Sequence, residues 1–163
     1  MKKTALKNLL DLLITYKDDY EFFYISRENI AATAAGMPEL STLVAFAKKA
    51  GTVGPLVDPT STLTAFSPNN AAFEKIKNIP GRIPKDREKL IEINNRHFLP
   101  TKVYSTDLKE GEQMVTNLGG SMLTITKTEG EIFVESELGY SGKVVKGDIE
   151  CSNGVIHIID GTL

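Results

Sequence analysis

Tryptophan is absent, and the 163-residue chain has one cysteine, Cys151, and two histidines, His97 and His157, 60 positions apart. A lone cysteine excludes an internal disulfide, and no Cys-x-x-Cys or His-x-x-x-His spacing offers a structural zinc site, so no metal or cofactor is expected. An excess of either charge is also lacking. With 19 Lys plus Arg against 21 Asp plus Glu and a net charge of −2, the chain has no basic footprint for a phosphate backbone, which argues against a nucleic-acid partner. Long apolar runs are missing too, so no transmembrane segment is expected. The run Leu9-Leu10-Asp11-Leu12-Leu13-Ile14 is broken by Asp11 and followed by no small-x-small pattern, so it does not read as a secretory signal.

What is present is enough for one ordinary domain. At this length a single core buries roughly 70% of the surface of the unfolded chain without a staple. Leu6, Leu9, Leu10 and Leu13 recur at helical spacing and predict an amphipathic helix at the N-terminus. A second helix is expected behind Pro38, with Leu40, Leu43, Val44 and Ala47 on one face and Lys48, Lys49 and Gly51 closing it. A short one over residues 26–35 ends at Gly36. Residues 62–66 read as a strand stopping at Pro68, then a helix that Ser67 or Asn69 can cap, because either side chain can accept from an exposed first-turn N–H. Residues 86–96 read as another helix.

Beyond residue 100 the pattern becomes β. Strand-like runs fall at 102–104, 114–118, 122–126, 132–135, 143–145 and 155–159, punctuated by Gly119-Gly120, Glu129-Gly130 and Asn153-Gly154. The last pair predicts a two-residue type I′ turn with both residues at positive φ. Apolar residues on both faces of 155–159, with Val155, His157 and Ile159 on one side and Ile156 and Ile158 on the other, predict a central strand and a buried His157. Helices first and strands later give an α+β fold with antiparallel sheets.

Motifs of chemistry are scarce. No dinucleotide fingerprint, phosphate loop, nucleophile elbow or His-Glu-x-x-His occurs, and no Asn-x-Ser/Thr acceptor for N-glycosylation is present. The glycine-rich Gly139-Tyr140-Ser141-Gly142-Lys143 has the wrong spacing for a phosphate cradle. His157 and Asp160 stand three apart in a strand-like run and so face opposite sides of a sheet. Cys151, without cationic neighbours in sequence, reads as a small buried hydrophobe. Tyr16, Tyr20, Phe22, Phe23 and Tyr24 place 5 of the 12 aromatic residues within nine positions, a density that points either to an extra helix and strand packed on the domain or to an apolar binding surface.

Three blocks taken together resemble the fasciclin domain. The first is Thr64-Ala65-Phe66-Ser67-Pro68-Asn69-Asn70-Ala71-Ala72-Phe73, in which Ser67 stands for the family's usual alanine and Asn69 for its threonine. The second runs from His97-Phe98-Leu99-Pro100 to Leu108 and resembles the family's Tyr-His block, with Arg96 in place of the tyrosine and Thr101 in place of a glycine. The third, from Ser152 to Leu163, is the closest match. The likeness covers residues 28–163 as a fasciclin-like domain and leaves 1–27 as an N-terminal extension.

The resemblance implies a wedge or sandwich of antiparallel strands with flanking helices, mainly in the N-terminal half, and no enzymatic activity. It implies a secreted, periplasmic or cell-surface module that binds a surface or matrix protein or a glycan. The alternative it offers is a carrier of a hydrophobic small molecule such as a carotenoid. Candidate binding residues are Tyr20, Phe22, Phe23 and Tyr24 in the extension, His97 and Tyr104 in the central block, and Lys146 and Asp148. The last two flank Gly147 in a Lys-Gly-Asp tripeptide that resembles an integrin-binding motif and also suits a turn or bulge. His97 and His157 read foremost as hydrogen-bonded structural residues.

Overall fold

A computed structural model describes residues 28–163, together with the backbone of Thr4–Ala5 and Lys7–Asn8, which pair in parallel. The amphipathic helix expected at the N-terminus and the aromatic-rich segment through Tyr24 otherwise lie outside the described residues. Helices come first, as expected: α1 (Ile30–Ala35), a 3-10 turn at Pro38–Leu40, α2 (Ser41–Ala50) and the single turn α3 (Gly54–Val57). Strand β1 (Leu63–Pro68), α4 (Asn70–Ile76), α5 (Arg87–Arg96) and β2 (Phe98–Leu99) follow. Five longer strands close the chain: β3 (Gly111–Thr116), β4 (Met122–Thr128), β5 (Glu131–Ser136), β6 (Ser141–Cys151) and β7 (Gly154–Ile159).

Side-chain chemistry accounts for the helix ends. Asn29, Asn69 and Asp86 each accept a first-turn N–H, from Ala32 (2.8 Å), Ala72 (2.9 Å) and Glu88 (2.9 Å), relieving donors that have no partner within the helix. Of the two caps offered for α4, the one used is Asn69. Gly51 ends α2 at φ 74°, a left-handed conformation that glycine adopts without strain.

The seven strands form one sheet in the order β2-β1-β7-β6-β5-β4-β3. It curls into a nearly closed, barrel-like wedge, and the main-chain N–H of Leu118, just past β3, reaches the carbonyl of Phe98 in β2 (2.8 Å). The sheet is mixed. Every pairing is antiparallel except β1 with β7, which run parallel in register from Leu63↔Gly154 to Pro68↔Ile159. Both strands are buried along their whole length, which is the environment of a central parallel pair. Their alternation divides two cores. Ala65, Ile156 and Ile158 face the helices and pack with Ile30, Leu40, Leu56 and Phe98. Phe66 and Ile159 face the inside of the wedge with Leu123, Ile125, Ile132 and Val134.

Two local expectations are corrected. Residues 102–104 form no strand: the Thr64 hydroxyl accepts from Val103 N–H (2.7 Å) and donates to Thr101 carbonyl (2.6 Å), so a side chain replaces the ladder there. Asn153-Gly154 is not a type I′ turn, since neither residue has positive φ. That conformation belongs to Glu129 (φ 52°) and Gly130 (φ 83°) between β4 and β5. Asn153 instead holds its loop by distant bonds: Oδ1 accepts from Ile30 N–H (2.9 Å), and Nδ2 donates to the carbonyls of Leu56 (2.9 Å) and Asp58 (3.1 Å). Asn70, the neighbour of the Asn69 cap, bonds outside its own helix. Its Oδ1 accepts from Thr42 N–H (2.9 Å) while Nδ2 donates to Pro38 carbonyl and Ser41 Oγ (3.0 Å each), tying α4 to the start of α2.

Candidate functional site

The two histidines are held by main-chain groups at both ring nitrogens. His97, at the end of α5, donates from Nδ1 to the Ile93 carbonyl (2.8 Å) and accepts at Nε2 from Leu163 N–H (2.9 Å). It is buried, and burial is the main cause that pulls its pKa from 6.5 down to about 4, with the charges of Arg96 and Arg82 adding to the effect. His157, also buried as its strand position requires, donates from Nε2 to Val103 carbonyl (2.8 Å) and accepts at Nδ1 from Asp148 N–H (3.1 Å), stacked on Phe66. Arg96, in the position of the family tyrosine, donates from Nη1 to Leu163 carbonyl (2.8 Å). Cys151 is fully buried, and burial pushes its thiol pKa up, opposite to what a nucleophile needs.

Tyr104, Lys146 and Asp148 come together at one corner, away from the contacts of His97. Lys146-Gly147-Asp148 is a bulge in β6, where the register against β7 slips twice and Asp148 takes φ 57°. The Asp148 carboxylate accepts from Ser105 N–H (2.8 Å) and from the Ser105 hydroxyl. Partial burial opposes its charge, but the Ser105 bonds outweigh it and hold the carboxyl below its usual range. Tyr104 donates its hydroxyl to Glu150 (3.0 Å). The Asp148 carboxylate is thus hydrogen-bonded to Ser105, and both Lys146 and Asp148 are exposed at the surface. Tyr20, Phe22, Phe23 and Tyr24 lie outside the described residues. Among those that are described, no group of three or more His, Cys, Asp or Glu is arranged to hold a metal ion, and no helix is long and apolar enough to cross a membrane.

Two surfaces among the described residues are open to contact, and sequence reading singled out neither. On the outer face of the sheet, Met114, Phe133 and Val145 are 63%, 40% and 53% exposed. The register sets Met114 beside Thr124, and Phe133 between Thr126 and Lys143. Alternation explains this: in β5 the even positions Ile132 and Val134 enter the core, so Phe133 must point out. An aromatic at an outward position of that alternation was a legible signal.

The second surface is a cleft of about 310 Å³ between α1, α2, α3 and β1, walled by Ile30, Ala34, Leu43, Val44, Leu56 and Phe98. Ser67 from β1 and Asn94 from α5 also line it. Both are buried, and no side-chain hydrogen bond is formed by either among the described residues. Their polar atoms open into the cleft rather than being sealed off, since the fully buried side-chain polar atom without a partner among the described residues is Ser136 Oγ, so these two stand out as polar points on an apolar wall. Their signals were the serine in place of alanine in the first block, and an asparagine on the buried stripe of α5 that holds Leu90 and leads to His97.

The model of the fasciclin domain family matches residues 38–163, more than half of the chain. The chain belongs to the fasciclin domain family. Among curated relatives, this fasciclin domain is 34% identical over 140 residues to Protein sll1483 of Synechocystis, covering 83% of the chain and 72% of that protein. It is 32% identical to the uncharacterized protein sll1735 of Synechocystis, covering 83% of the chain and 96% of the relative. A fasciclin-like arabinogalactan protein, CTB11, of the fungus Cercospora beticola is 32% identical over 138 residues, but the chain spans only 34% of its length. The fold is shared with a FAS1 domain pair from the insect cell adhesion molecule Fasciclin I, with TM-score 0.68 and 19% identity, over 83% of this chain and 50% of that one.

Proposed function

We propose that this fasciclin domain is a non-catalytic adhesion or binding module, working outside the cytoplasm at the cell surface, in the periplasm or in the extracellular matrix through protein or glycan contacts. The observation that carries the reading is the outer sheet face, where Phe133, Met114 and Val145 stand exposed among threonines and charged residues. An aromatic anchor with a polar surround is the composition that dominates protein interfaces. The histidines support it from the other side, since their ring nitrogens serve the fold. That one similar structure is of an insect cell adhesion molecule agrees with this role. The test is attachment: immobilised full-length protein should retain cells, matrix protein or glycan above a heat-denatured control, and attachment no greater than the control would sink the proposal.

A second reading, carriage of a hydrophobic small molecule such as a carotenoid, is favoured by the apolar cleft. Its volume of about 310 Å³ lies at the lower end of the range for small-molecule sites. Protein purified from its native source should then co-elute with an apolar compound detectable by mass spectrometry, and a carotenoid would colour it. Colourless protein free of any organic companion would contradict carriage.

A further inference from the structure

The cleft between α1, α2, α3 and β1 is not uniformly greasy, and its two polar exceptions define what fits it. Asn94 is 5% exposed and Ser67 is 3% exposed. They come from different elements, α5 and β1, yet both line this one cleft. Neither side chain forms a hydrogen bond among the described residues, and neither has a fully buried unpaired atom, so both keep polar atoms open to the cleft. Of the other polar residues on the wall, Asn29 is only half-buried and caps α1 through Oδ1 to Ala32 N–H (2.8 Å), and Lys48 is exposed in the last turn of α2. Interior polar groups of a folded protein are paired as a rule, and apolar pockets that bind small molecules carry a few polar groups to orient them.

We infer that this cleft is a site for an uncharged, largely hydrocarbon molecule of about two fused rings that bears one hydroxyl or carbonyl group, which Asn94 and Ser67 hydrogen-bond. The inference rests on the carrier reading and gives it a ligand chemistry. Size follows from volume: about 310 Å³ is roughly twice the ~150 Å³ of an apolar cavity that admits one benzene ring. The polar terminus follows from the donors and acceptors on offer. An amide supplies N–H and carbonyl, and a hydroxyl donates and accepts, so either a ligand hydroxyl or a ligand carbonyl is satisfied. Neutrality follows because no buried cation or anion lines the wall, and a carboxylate entering it would lose its hydration without a counter-charge at depth.

The test is a binding comparison on the full chain with three probes that share one shape: 2-naphthol, naphthalene and 2-naphthoate, followed by equilibrium dialysis. The expected result is 2-naphthol bound about tenfold or more tighter than either of the others, the ratio corresponding to one or two neutral hydrogen bonds. In Ser67→Ala and Asn94→Leu, checked for folding by urea denaturation, the preference for 2-naphthol over naphthalene should shrink toward unity while naphthalene still binds. Should Asn94→Leu not fold, the wild-type ratio and Ser67→Ala carry the test. Equal binding of 2-naphthol and naphthalene to the wild type would overturn this inference and leave the carrier reading standing, with water alone satisfying the two side chains. A preference unchanged in the folded variants would overturn the assignment to these residues, and no binding of naphthalene or 2-naphthol would overturn the carrier reading as well.

Discussion

Replacing Asn153 by alanine should be among the most damaging single changes in the molecule. The side chain is 1% exposed and makes three bonds, to Ile30 N–H (2.9 Å), Leu56 carbonyl (2.9 Å) and Asp58 carbonyl (3.1 Å). These join the β6–β7 loop to α1 and to the turn after α3, elements about a hundred residues away in sequence. Each neutral bond contributes about 1 kcal/mol net, and truncation also leaves the Ile30 N–H and Leu56 carbonyl unpaired in the interior. The loss should therefore come to about 3–5 kcal/mol, a large share of a domain's whole stability. Asn153→Asp should be at least as harmful: Oδ1 can still accept from Ile30, but the second oxygen would face two carbonyls, and a charge would be buried without a cation. Urea denaturation followed by circular dichroism measures both changes. A loss below about 1 kcal/mol for Asn153→Ala, with an unchanged slope against urea, would refute the view that this residue clamps helices to sheet.

His97 makes stability pH-dependent. Its native pKa of about 4 lies below its ordinary 6.5, so the unfolded chain takes up a proton first as pH falls. The native state is undiminished above pH 6.5 and weakens from there down to about pH 4, by about 2 kcal/mol between pH 7 and 5. A folded His97→Gln protein should lack that part of the decline, and identical pH profiles would contradict the assignment. Gly154→Val should cost at least about 3 kcal/mol, because a side chain there collides with the Leu63 carbonyl and the Ile30 side chain across the parallel β1–β7 pair. A melting temperature within 2 °C of wild type, as an order-of-magnitude threshold, would speak against such crowding. Asn70→Ala removes three bonds at the junction of α4 and α2 and should cost about 1–2 kcal/mol without changing partner binding. Unaltered stability with altered binding would reverse that reading.

Much of the architecture was legible because it is local. Apolar spacing marked α2 and α5, a capping residue at Ser67 or Asn69 announced the start of α4, and the strand-like run at 132–135 marked β5. The central, two-sided burial of β7 and of His157 followed from apolar residues on both faces. What escaped was long-range. No local pattern shows that β7 runs parallel to β1, about ninety residues earlier, and the natural reading of Asn153-Gly154 as a turn dipeptide gave way to bonds made with α1 and α3. The strand expected at 102–104 lost its ladder to a threonine hydroxyl. The cleft was hidden for a related reason: Ile30, Leu43, Leu56 and Phe98 read equally well as core, and only the folded arrangement shows that they wall a space. Ser67 and Asn94 were visible as exceptions to their surroundings, but their convergence on one cleft needed the fold.

On the proposed reading, this fasciclin domain binds through the outer face of its sheet while its family-signature histidines maintain the fold. The direct measurement is attachment by the double variant Met114→Lys, Phe133→Lys, compared with wild type at matched surface density. Both positions are exposed, so the substitutions should leave the urea midpoint nearly unchanged. Attachment should fall to the level of denatured protein, and full attachment by the folded double variant would contradict the claim.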